Sequence, residues 1–221
     1  MPSTADDRLT LADWRRRVAE LYAEVRALAR LDPAVAWDHW RATREWLFRE
    51  HPQSPVPAAR RDAFRASHWP YDASLRFQPT IEPAPDEPVG DPAADPPAQP
   101  TMALPMSGGG DMTFRLVARL EIPFAAGTRR LGLYWMAGYA GGLFLPFRDA
   151  TNGCATYGAG RYLLDTAKGA DLGPGAADGS LVVDFNFSFQ PSCAFDPRWA
   201  CPLAPPENRL DLAIEAGERI A

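Results

Sequence analysis

Near the start of the chain apolar residues recur at three- and four-residue spacing. Leu11, Trp14, Val18, Leu21, Tyr22, Val25 and Leu28 fall on one stripe of a helix whose other faces carry Arg15, Arg16, Glu20 and Glu24. Thr10 stands where an N-cap belongs. Asp32-Pro33 opens a second helix, because proline at the first helical position lacks only an amide that would go unpaired, and the Asp carboxylate accepts from the next free amides. This helix is expected to run over residues 33–49 and to stop at His51-Pro52, with Trp37, Trp40 and Leu47 as its apolar face. A short helix is expected within 58–67, anchored by Phe64.

After Ser107-Gly-Gly-Gly110 the period changes from helical to two. Residues 114–120, 130–135, 142–147, 156–164, 180–189 and 209–216 each read as strands between glycine-containing turns. Earlier strands are expected at 73–80 and 101–106. Strands joined by short turns, with no helix between them, predict an antiparallel sheet that curls into a barrel or roll, since closure removes exposed edges. The fold class is therefore mostly β (α+β): a barrel or roll of about seven to eight strands, preceded by two helices. Residues 1–52 form a helical segment packed on a β-rich domain of residues 53–221. Within that domain, residues 79–100 alternate prolines with Glu82, Asp86, Glu87, Asp91 and Asp95, a mobile acidic loop with little to bury.

Composition narrows the function classes. The 221 residues are 46% hydrophobic, enough for a packed core, and the net charge of -5 leaves no cationic field for a nucleic acid. No run of about 18 apolar residues suggests a membrane span, and Met1 to Asp7 lacks the pattern of a secretory signal, so a cytoplasmic location is expected. Three cysteines fit a reducing compartment better than a disulfide scaffold. Cys193 and Cys201 can meet across a proline-flanked loop as a thiol pair, or stand as two buried structural thiols.

The residues that could carry chemistry lie in the second half. In 181–190, Leu181, Val183, Phe185, Phe187 and Phe189 alternate with Val182, Asp184, Asn186, Ser188 and Gln190, so one face is core and the polar face looks either to solvent or into a lined cavity. In Tyr157-Gly-Ala-Gly-Arg161-Tyr162 the glycines mark a bend or a close approach of backbone or ligand. Strand spacing puts Tyr157 and Arg161 on one face. Arg161 is suited to a carboxylate or phosphate ligand, and equally to a structural bridge with Asp149 or Asp184. Glu207 and Asn208 follow a rigid run of prolines and either face the same space as Arg161 or cap a turn into the last strand.

These same segments carry a resemblance. Phe147-Arg-Asp-Ala-Thr-Asn-Gly153, Tyr157-Gly-Ala-Gly-Arg161-Tyr-Leu163, Asp184-Phe-Asn186, Pro191-Ser-Cys-Ala-Phe195 and Cys201-Pro-Leu-Ala-Pro-Pro-Glu207-Asn-Arg-Leu210, with Ala216-Gly-Glu218, resemble in order and spacing the bacterial family labelled domain of unknown function 1684. The likeness covers 143–219 and extends back through Trp69-Pro-Tyr-Asp72 and Ser54-Pro55 to Trp37 and Trp40. Cys154 stands where the pattern has an ordinary polar residue. The resemblance implies a compact cytoplasmic β domain with a shared site at the motif residues, and it brings no reaction with it.

Several chemistries have no footing. His39, His51 and His68 form no ligand pair and lie outside the β region, so no metal is expected and no histidine-activated nucleophile. No GxGxxG or GxxxxGK[ST] opens a helix, so no nucleotide cofactor is expected either. The first expectation is a small-molecule pocket in which Tyr157, Arg161, Asp184, Asn186, Glu207 and Asn208 bind a small anionic or polar ligand. A cofactor-independent hydrolase or lyase, using paired carboxylates (Asp184 with Glu207 or Asp149) beside Tyr157 and Arg161, is the alternative. An interaction module working through the N-terminal helices is the third reading.

Overall fold

The computed structural model describes residues 4–84, 101–138 and 141–220. Helix α1 spans Ala5–Leu28 and helix α2 Pro33–Glu50. The cap of α1 is Thr4 rather than Thr10. Thr4 and Asp7 form a reciprocal capping box, while the Thr10 hydroxyl, already inside the helix, donates back to the Asp6 and Asp7 carbonyls. Asp32 caps α2 as expected, its Oδ1 accepting from Ala34 N at 2.8 Å. Val18, Leu21, Tyr22 and Val25 of α1 and Trp37, Trp40, Leu47 and Phe48 of α2 are buried. Of the expected short helix only one turn forms, α3 at Ala58–Arg61.

Ten strands are described: β1 Ser67–His68, β2 Arg76–Phe77, β3 Ile81–Pro83, β4 Met102–Pro105, β5 Asp111–Phe124, β6 Gly127–Met136, β7 Leu143–Phe147, β8 Arg161–Asp165, β9 Val183–Asp184 and β10 Glu218–Arg219. The main sheet runs β3-β5-β6-β7-β8, with β4 also pairing β5, and all its ladders are antiparallel. Its outer strands β3 and β8 do not pair with each other, so the sheet is open and the expected closed barrel is not formed. Two short ladders, β1-β10 and β2-β9, stand apart from it.

The sheet stays open because both its faces are covered by other parts of the chain. On β5 the register slips between Leu116 and Ala118. This bulge turns the even-numbered residues from one face to the other: Phe114 joins a core with the helices, whereas Ala118, Leu120, Ile122 and Phe124 join a second core. Strand β6 needs no bulge to divide the same way, with Tyr134 in the first core and Leu131 and Leu133 in the second. The first core holds Tyr22, Trp40 and Leu47 of the helices. The second is closed by irregular chain: Leu181, Val183, Phe185, Leu210, Ile214 and Ala216.

That irregular chain is where the expected strands fail. Residues 180–189 form a strand only at β9, and Phe185–Phe187 coil into a 3-10 turn. The turn sends Phe185 into the second core and Phe187 and Phe189 into the first. Every residue from 180 to 191 is buried, so the alternation does not mark one wet face. Residues 209–216 contain no strand, β8 begins only at Arg161, and 73–80 shrinks to a 3-10 turn at Ala73–Leu75 followed by β2. Most of the expected acidic loop, 85–100, lies outside the described residues.

Candidate functional site

The residues singled out in the sequence separate into four places. Arg161 opens β8 with its side chain fully buried. Its guanidinium donates to the carbonyls of Ala216, Glu218 (3.1 Å) and Ile214 (2.8 Å) and pairs with Asp149 at 3.3 Å. Asp149 in turn accepts from Ile214 N at 2.7 Å and from the Thr151 hydroxyl. The planar fork of arginine thus gathers the carbonyls of Ile214, Ala216 and Glu218 around one buried cation. Burial pulls the Arg161 pKa down to about 10, still far above neutrality, so the guanidinium stays charged. Gly160 precedes it at φ 104°, and a Cβ there would collide with the Phe147 carbonyl, so this glycine serves a close approach of backbone.

Asp184 and Asn186 form the second place. Asp184 pairs with Arg76 at 3.0 Å, caps the 3-10 turn through Asn186 N, and accepts from the Asn186 amide at 2.8 Å. Asn186 bonds Asp72 N and Asp72 O, both at 2.8 Å. Burial raises the Asp184 carboxyl above the usual range, against the opposing pull of Asn186 and Arg76. Asn208 is the third place: its amide accepts from Gly132 N and donates to the carbonyls of Gly132 and Pro146, stapling the 206–208 turn across β6 and β7. Its neighbour Glu207 is exposed and accepts from the Tyr134 hydroxyl. Among the described residues Asp149, Asp184 and Glu207 each bond a different partner, Arg161, Arg76 and Tyr134 respectively.

Tyr157 is the fourth place, apart from Arg161. Burial, and after it the neighbouring Cys193 thiol, raises its pKa to about 12. Its amide donates to Gln190 Oε1 at 2.9 Å.

None of these six residues lines a further cavity in the fold. That cavity, about 490 Å³, is a groove between α3 and the β1-β10 ladder, well within the range of small-ligand sites. One wall is aromatic: Phe48 from the end of α2, Phe64, and Phe195 beyond the 3-10 turn Ser192–Ala194, with Phe48 and Phe195 ring centres 5.1 Å apart. Ser67, Arg219 and Ile220 form the other side. Gln190 and Glu218 are the buried polar lining.

Glu218 is already neutralised. It pairs with Arg44 at 2.8 Å, accepts from Gln190 N at 2.8 Å, and has His68 Nε2 at 4.0 Å. Gln190 is only 4% exposed, and its Oε1 is taken by Tyr157 N; its Nε2 meets no acceptor among the described residues. Arg60, Arg65 and Arg219 stand exposed at the rim. Each makes local bonds, to Phe195 O, to Asp62 O and Phe64 O, and to Ser67 Oγ respectively, and each retains nitrogens that no described acceptor engages. The groove therefore presents apolar walls, an amide donor and a cationic rim. Sequence reasoning reached Phe64 but not the groove, whose signal is arginines interleaved with small residues in Ala58-Ala-Arg-Arg-Asp-Ala-Phe-Arg-Ala66.

Among the described residues no helix is long and apolar enough to cross a membrane, and no three His, Cys, Asp or Glu side chains gather as a metal site. Residues 64–219 match the model of a protein family of unknown function, DUF1684, and the chain belongs to that family. No curated protein matches it. A solved structure of similar fold is that of an uncharacterized protein from Haloarcula marismortui, determined by NMR in solution. It is 28% identical, with a TM-score of 0.56, and the likeness covers 81% of this chain and 90% of that one.

Proposed function

We propose that this DUF1684 chain is a small-molecule-binding protein, and that its ligand is a small amphipathic anion held in the groove between α3 and the β1-β10 ladder. The observation that carries the reading is the aromatic-walled groove of about 490 Å³ itself, whose rim carries three arginines and whose edge holds the Gln190 amide, its Nε2 without an acceptor among the described residues. An apolar body would pack on Phe48, Phe64 and Phe195. An anionic head would meet Arg60, Arg65 or Arg219, and an acceptor on the ligand would satisfy Gln190.

Arg161 supports this reading from behind, holding the carbonyl of Glu218 in the segment that forms one side of the groove. The probes are dodecanoate and a fluorescent anilinonaphthalene sulfonate. Saturable binding is expected, weakened about tenfold, or ~1.4 kcal/mol, in the Arg60→Ala/Arg65→Ala double variant at low salt. High salt should narrow that gap by screening the exposed rim. Absence of saturable binding, or equal affinity for both proteins, contradicts the proposal.

A further inference from the structure

Cys193 and Cys201 are the two buried thiols of the chain, and the fold brings them together from separately anchored pieces. The 3-10 turn Ser192–Ala194 aims the Cys193 amide at Cys201 Sγ, 3.4 Å away. Cys201 is fixed to the β4–β5 turn: its amide donates to Ser107 Oγ at 3.0 Å and its carbonyl accepts from Ser107 N at 2.9 Å. The Cα of residue 193 is one bond from that amide and the Cα of residue 201 two bonds from that sulfur, which brings the pair near the span a disulfide bridges. Tyr157 and the two thiols lie close enough to perturb one another's ionisation.

We propose that Cys193 and Cys201 are a peroxide-sensitive dithiol, with Cys193 the sulfur that is oxidised and Cys201 the one that resolves it. The surroundings assign the roles. Hydrogen bonding from Cys201, with Ser107 and Tyr157, holds the Cys193 thiol below its ordinary range, while Cys201, which gives up that hydrogen bond and is buried, is held above it. The nucleophile is the thiolate, so Cys193 reacts first. Its thiolate attacks the O–O bond of hydrogen peroxide: the S–O bond forms, the O–O bond breaks, and the departing hydroxide is protonated to water. The Cys201 sulfur then attacks Cys193, forming the S–S bond and expelling the sulfenic oxygen, which leaves as water with the Cys201 proton. The two thiols lose two electrons, and one peroxide takes them. A disulfide would close a ring around 193–201, which includes Phe195 of the groove wall, so oxidation would also stiffen that wall.

The test treats the native protein with hydrogen peroxide, denatures it, alkylates it and maps the three cysteines by mass spectrometry. The expected result is loss of two hydrogens, a linked peptide pair containing Cys193 and Cys201, and exposed Cys154 still alkylated. In Cys201→Ser, a sulfenic acid should accumulate at Cys193 and be captured by dimedone. Full alkylation of Cys193 and Cys201 after peroxide, or oxidation confined to Cys154, overturns the proposal. The wild-type map decides even if the variant does not fold. It is independent of whether dodecanoate binds.

Discussion

Replacing Arg161 by methionine keeps most of the side-chain volume while removing the guanidinium. The Asp149 carboxylate, fully buried, then loses its cation, and the carbonyls of Ile214, Ala216 and Glu218 lose a shared donor. Breaking a buried ion pair from one side costs about 3–5 kcal/mol, because the remaining charge is stranded. The Ile214 amide and the Thr151 hydroxyl still solvate Asp149, which places the loss toward the lower end. For a chain of this length a loss of about 3 kcal/mol lowers Tm by roughly 6–12 °C. Urea unfolding followed by tryptophan fluorescence measures it. Arg161→Lys keeps the charge but not the fork, and should recover only part of the stability. A loss below about 1 kcal/mol for Arg161→Met would refute the reasoning and return Arg161 to the candidates for ligand binding.

Asn208→Ala leaves the amide of Gly132 and the carbonyls of Gly132 and Pro146 without their side-chain partner, and a stability loss of roughly 2–4 kcal/mol is expected in the same assay. Burial lowers the His68 pKa, although Glu218 pulls the other way. The unfolded chain then binds more protons below pH 6.5, so stability should fall as pH drops from that value, and His68→Gln should flatten the fall. Gly217 sits at φ 75°, where a Cβ would strike Ser188 and the Phe185 carbonyl, so Gly217→Ala should destabilise far beyond the ordinary cost of a surface glycine, read as a drop in urea midpoint.

The helices were legible because capping chemistry and 3.6-residue periodicity are local: Asp32-Pro33 and the Trp37–Trp40 face point to α2 without tertiary information. Strands β4, β5, β6 and β7 were legible for the same reason. The irregular chain after β8 was not. In 180–190 the period of two was real, but its cause was a segment wedged between two cores, with Asp184 and Asn186 capping their own turn. A polar residue that solvates its own backbone looks, in sequence, like one that faces water or a ligand. Arg161 fits the structural bridge to Asp149 that its residue type also allowed. The groove was hidden because its parts come from four stretches, around residues 48, 64, 195 and 219, that no local pattern connects.

The most direct test is a backbone NMR titration with dodecanoate. The expected result is saturable shifts concentrated at Phe64, Ser67, Gln190, Phe195 and Ile220, together with the Gln190 side-chain amide, while Gly132 and Asn208 stay still. Shifts centred instead on Tyr157, Arg161 and Asn208, or none anywhere, would contradict the placement of the ligand in the groove.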